Sequence, residues 1–236
     1  MTDEKDHDVV GYLEDVYVTD VGLTWVASRW SSVDMFEREP DRHPRPEGGP
    51  VAEWLGFAAL AVDEFDRSRA VQLDQDVQRL LRSPLTEDTI LTVWLGATHG
   101  LFDPVEYGVS ARTWLERVEE TWLTRVRQDD PAFVPPSPQP VVDEGLVQAV
   151  LQMIRPVAEQ LTHAAENPPY GTSVTCLAPA LERVVTEACA DLGYRLFLRA
   201  MKAYLVPADG PALIALGERF GYPHGIVREG LNDRTG

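Results

Sequence analysis

Apolar residues recur three and four positions apart along most of this chain, and that spacing decides the fold class. Val51, Trp54, Leu55, Ala58, Val62 and Phe65 trace one stripe, which continues as Ala70, Leu73, Val77, Leu80 and Leu81. A 3.6-residue period puts such side chains on one helix face, whereas a half-buried strand requires strict alternation. Convincing alternation is absent, and so is any repeat of 20–50 residues. The expectation is an all-α bundle of about seven to nine helices.

Local chemistry delimits the helices. Val9, Val10, Leu13, Val16 and Tyr17 fit helical spacing, although Val16–Val18 also suits a strand. A second stretch runs from Val21 to Phe36, with Asp20 as its cap. "EREPDRHPRPEGGP" (37–50) is a loop. Pro50 suits a first helical turn, and "SP" at 83–84 stops the long stripe; one helix or two broken near Asp66 both fit it. Thr86 and Ser110 are N-caps. They open one helix carrying Ile90, Leu91, Trp94 and Leu95, ended by Gly100, and another carrying Trp114, Leu115, Val118 and Trp122.

"DDPAFVPPSPQP" (129–140) resembles a semi-rigid linker, dividing helical subdomains at 1–128 and 142–236 joined through 129–141. Val147, Val150, Leu151, Ile154 and Leu161 share a face kinked at Pro156. Residues 174–205 read as one long helix, whose polar ladder of Arg183, Glu187, Asp191, Arg195 and Arg199 is expected in water. Short helices follow from Gly210 to Phe220 and from Pro223.

Charge narrows the partners. A net charge of −17 repels nucleic acid and anionic lipid, leaving a protein or a small molecule as the expected partner. No run of about 18 apolar residues exists, so no membrane span is expected. The acidic opening "MTDEKDHDVV" lacks the pattern of a secretory leader, and the cytoplasm is the expected location. All but two of the 21 basic residues are arginines, a usage that fits a GC-rich genome of bacterial type. Cys176 and Cys189 would fall on different faces of one helix and remain reduced core residues. Phosphate-loop, dinucleotide, nucleophile-elbow and H-E-x-x-H patterns are missing, so no cofactor and no metal are expected.

"THGLFDPVEYG" (98–108) carries the candidate chemistry. His99 ends a helix, and Asp103, Glu106 and Tyr107 follow; carboxylates beside an imidazole are the ingredients of acid–base catalysis. The alternative is a histidine that caps the last carbonyls. The six tryptophans, at 25, 30, 54, 94, 114 and 122, suit core packing or an aromatic ligand pocket, with Trp94 and Trp114 as candidate binding residues. Two functions follow. An acidic interaction or regulatory protein requires an exposed apolar patch. A small-molecule binder or enzyme requires a closed pocket near His99.

"GERFGYPHGIVREGL" (217–231) resembles the helix-turn-helix of GntR-type bacterial regulators, whose pattern runs roughly "AERFGVSRGTVREAL". Gly217 supplies the close helix crossing and Gly221 the turn; Leu216, Phe220, Tyr222, Ile226, Val227 and Leu231 supply the small core. The resemblance implies DNA contacts from His224, Arg228 and Asn232, with a supporting helix over 193–205 bearing Arg195, Arg199 and Lys202. The anionic balance makes this the third reading.

Overall fold

The structure, a computed structural model, describes residues 20–29, 48–65 and 67–233, without the side chains of 67–69. The helix expected over 9–17, most of the second half of that expected over 21–36, Trp30 and residues 37–47 lie outside the described residues.

The helices are α1 (Leu23–Ser28), α2 (Gly49–Glu64), α3 (Arg67–Arg82), α4 (Glu87–Ala97), α5 (Ala111–Asp129), α6 (Glu144–Ile154), α7 (Ala158–Glu166), α8 (Leu177–Glu187), α9 (Ala190–Ala203), α10 (Gly210–Arg219) and α11 (His224–Arg228). A 3₁₀ turn at Arg155–Val157 joins α6 to α7, where Pro156 cannot supply an α-helical N–H. The described sheet is a two-residue parallel bridge, Pro207–Ala208 (β1) with Asn232–Asp233 (β2). The fold is all-α, a multi-helix bundle. No described helix is long and apolar enough to cross a membrane.

Local signals act where expected at most caps. Thr86 accepts the Thr89 N–H at 3.2 Å, and Ser110 accepts that of Thr113 at 3.3 Å. Phe65 turns extended (φ −118°, ψ 152°), so α2 and α3 are separate helices. Asp20 is not a cap. Gly22 holds that position at φ 61°, and the carboxylate of Asp76 takes the Leu23 N–H at 3.0 Å. A Cβ on Gly22 would stand 2.2 Å from that carboxylate oxygen, so the approach admits glycine alone.

Helices from both sides of the proline-rich segment pack together. α2 and α3 lie on α5, while α4 packs against α5 and also against α8 and α9. One apolar cluster runs from Leu23 to Val227 through both supposed halves. The proline-rich segment is fastened rather than free. Gln75 donates to the Pro136 carbonyl at 2.8 Å, Arg79 to that of Gln139 at 2.8 Å, and Ala190 N–H to that of Val141 at 2.9 Å.

The expected helix over 174–205 is two helices. The chain breaks at Cys189, which is extended (φ −166°, ψ 126°), and α9 packs against α8. The cysteines therefore sit at two different helix boundaries. Cys189 is buried, Cys176 is exposed, and both are free thiols. The charged ladder divides with the helices. Arg183 and Glu187 on α8 form a two-bond pair at 2.8 and 3.0 Å that water reaches. Asp191, Arg195 and Arg199 on α9 are buried, as is every residue of that helix.

Candidate functional site

His99 ends α4 in the left-handed region (φ 59°), followed by Gly100 (φ 68°). A non-glycine residue pays about 1–3 kcal/mol for that conformation. The turn carries its imidazole between two tyrosine rings, Tyr170 at 4.5 Å and Tyr204 at 4.6 Å, with interplanar angles of 30° and 25°. Only 2% of His99 is exposed. Burial lowers its pKa below the ordinary histidine value, and the positive charge of Arg199 acts the same way, so the ring is neutral at neutral pH. Burial likewise raises the Tyr204 phenol.

The other members of the expected acid–base set are engaged elsewhere. Asp103 caps a 3₁₀ turn over Pro104–Tyr107, its carboxylate accepting the Val105 N–H at 2.8 Å. Glu106 is exposed in that turn, and Tyr107 stacks on Phe102 at 5.7 Å. Trp94 and Trp114 pack ring to ring at 5.3 Å within a buried cluster that includes Trp54 and Phe102. The Trp94 indole N–H donates to the Phe102 carbonyl at 3.1 Å, deep in the core. An aromatic column thus runs from Trp54 through Phe102 to Tyr107, from interior to surface.

At its outer end the surface is oily. Leu101 is 37% exposed, Val105 51% and Tyr107 47%; Tyr170, on the neighbouring loop, is 49% exposed. The Thr172 N–H donates to the Gly100 carbonyl at 2.8 Å and fixes the two loops together. Asp103 and Glu106 are interleaved with these apolar side chains.

A buried ionic network joins α3 to α9, and its centre, Asp76, is a residue the sequence did not single out. Arg195 grips that carboxylate with two bonds of 2.6 and 2.5 Å, and Gln72 adds a third at 2.8 Å. Arg195 also reaches Asp191 at 3.1 Å and the Val21 carbonyl at 3.2 Å. Asp191 accepts the Tyr222 hydroxyl at 2.5 Å. Arg199 pairs with Asp20 at 3.2 Å, and the Lys202 ammonium donates to the Ile226 carbonyl at 2.7 Å. Burial opposes the charge of Arg195, but Asp191 and Asp76 outweigh it and hold the guanidinium protonated. Lys202 has less compensation, and burial pushes its pKa down to about 8. These contacts join the segment before α1, helices α3 and α9, and the C-terminal tail. They position structure, and the core closes over them.

The C-terminal corner has the local shape that its glycines imply. A Cβ on Gly217 would stand 2.6 Å from Val227 and 2.9 Å from the Tyr194 hydroxyl, and Gly221 turns at φ 83°. Phe220 and Tyr222 stack on Tyr194 at 5.3 and 6.4 Å. The second helix is short. α11 spans five residues, about 7.5 Å of rise. His224 is exposed and meets Glu218 at 2.5 Å, and Arg228 is exposed. Asn232 is not on the helix as expected: it lies in β2, its amide donating to the Leu205 carbonyl at 2.7 Å. Arg195, Arg199 and Lys202, on the helix that the resemblance implies as support, are buried inside the bundle.

Among the described residues no group of three or more His, Cys, Asp or Glu side chains is placed to hold a metal ion. No protein-family model matches the chain, and neither a curated protein nor a solved structure matches it.

Proposed function

We propose that this chain is an interaction protein that holds a basic, partly apolar protein segment on the surface formed by residues 101–107 and Tyr170. The observation that carries this reading is the run of exposed large apolar side chains, Leu101, Val105, Tyr107 and Tyr170, on two loops locked together and interleaved with Asp103 and Glu106. Leaving such side chains in water is unfavourable, and exposed apolar side chains set among polar ones suit a contact surface. The net charge of −17 favours a cationic partner and speeds its approach. His99 and its tyrosine sandwich act here as a stiff base that holds the loops in register.

The test is selection from a display library of short randomised peptides. Selected sequences should pair Lys or Arg with Leu or aromatic residues. Their binding should fall by at least about tenfold in a Leu101→Asp, Val105→Asp, Tyr107→Asp variant, the loss of a small hot spot. Peptides indifferent to those three substitutions would refute the assignment.

A further inference from the structure

A recess of about 280 Å³ lies where the end of α3, the proline-rich segment and the end of α8 meet, on residues that the loop surface does not use. Pro84, Pro138, Pro140, Val142 and Ala188 give it apolar walls. These walls are stiff. A proline ring fixes its own φ, and a residue that precedes a proline is held extended. The segment is also pinned at the Pro136 and Gln139 carbonyls, three residues apart, which is one turn of a polyproline helix.

The charges around the recess leave one group unmatched. Arg79 is engaged by Asp191 at 3.4 Å, by Asp76 at 3.5 Å and by the Gln139 carbonyl. Glu187 is held by Arg183 through two bonds. Arg82 is exposed and lines the recess. Its Nε donates to Gln78 at 2.8 Å, and its two terminal nitrogens have no hydrogen-bond partner among the described residues. Its charge acts on Asp74, but no described carboxylate bonds it. The negative helix ends nearby are offset. Arg112 takes the Leu81 and Leu85 carbonyls at 2.8 and 2.5 Å, and the end of α8 abuts the start of α9.

We propose that this recess binds a small aromatic carboxylate. The flat ring lies against the prolines, whose ring hydrogens meet its electron-rich face. The carboxylate takes the terminal N–H groups of Arg82 side by side, since a guanidinium fork matches a planar carboxylate. At about 280 Å³ the recess is just below the roughly 300–1,000 Å³ of most ligand sites, which suits one ring and a short arm. The net charge of −17 and the nearby Glu187 disfavour a more highly charged anion.

The probe is phenylacetate, titrated into the full chain by calorimetry and followed through the backbone amide resonances of Ser83, Val142 and Ala188. Saturable binding is expected, with those three resonances shifting. Neutral phenylacetamide and the 2-phenylethylammonium ion should bind at least about tenfold more weakly. Arg82→Gln, at an exposed position, should weaken phenylacetate at least about fivefold. Val142→Asp, which sets a carboxylate at the rim, should weaken phenylacetate more than phenylacetamide. No saturation by about 10 mM, shifts confined to other amides, equal binding of the neutral or cationic analogue, or phenylacetate affinity unchanged in either variant would overturn the proposal.

Discussion

Asp76 ties together parts of the chain that are distant in sequence, since its carboxylate meets Arg195, Leu23 and Gln72 at once. A buried ion pair repays its desolvation only when its geometry and hydrogen bonds are good, as they are here. Asp76→Asn takes from the buried Arg195 guanidinium its two-bond charged partner, leaving Asp191 alone to balance it, and is expected to cost about 3 kcal/mol in urea melts. Asp76→Leu combined with Arg195→Met should recover most of that loss. A loss under about 1 kcal/mol for the single substitution would contradict the assigned role. Asp74, two residues earlier, is the opposite case. It is buried beside Glu119, and burial first and the charge of Glu119 second push its pKa up to about 6 from 3.8. The folded state therefore holds this proton more tightly than the unfolded chain. The resulting stabilisation is complete below the unfolded value and is lost as pH rises through about 6. Asp74→Asn should stabilise the protein at pH 7, by about 1 kcal/mol, and change little at pH 4. Equal effects at both pH values would exclude the mechanism.

At the scale of elements, Gly217 sets how closely α10 and α11 cross. Gly217→Ala would press a methyl group on Val227 and on the Tyr194 hydroxyl, which donates to the Leu213 carbonyl at 2.8 Å. A loss of about 1–3 kcal/mol is expected in thermal or denaturant melts, and an unchanged midpoint would show that the corner has slack. That crossing was legible in the sequence, as were the caps at Thr86 and Ser110 and the step at Pro156, because each is decided within one turn of chain. The burial of α9 was not. Charges four apart look the same whether water or the carboxylate of a distant helix faces them. Two signals were present nonetheless. The flanks of the α9 ladder are apolar at Leu192, Leu196, Phe197, Ala200 and Met201, so the helix is oily nearly all round. Asp76 lies on the face of Leu73, Val77 and Leu80, where a carboxylate needs a buried countercharge. For the candidate site, His99 could be placed at a helix end, but its contacts to Tyr170 and Tyr204 depend on tertiary packing. The exposed loop surface, likewise, comes from how α4 hands the chain to its 3₁₀ turn.

For the whole molecule, the consequence is a single apolar core shared by both halves of the chain, with charge buried at its centre and acid outside. Such an interior opens only when the entire fold opens, whereas loops and short terminal helices open locally. The exposed side chains of the 101–107 loop can then be altered without disturbing the centre. Native-state amide hydrogen exchange tests this most directly. The account predicts that α9 amides from Leu192 to Ala203 exchange only through global unfolding, with one common free energy, and that the loop-surface variant leaves this value unchanged. Exchange of α9 as fast as that of the short α11 would contradict a charged helix locked at the middle of the protein.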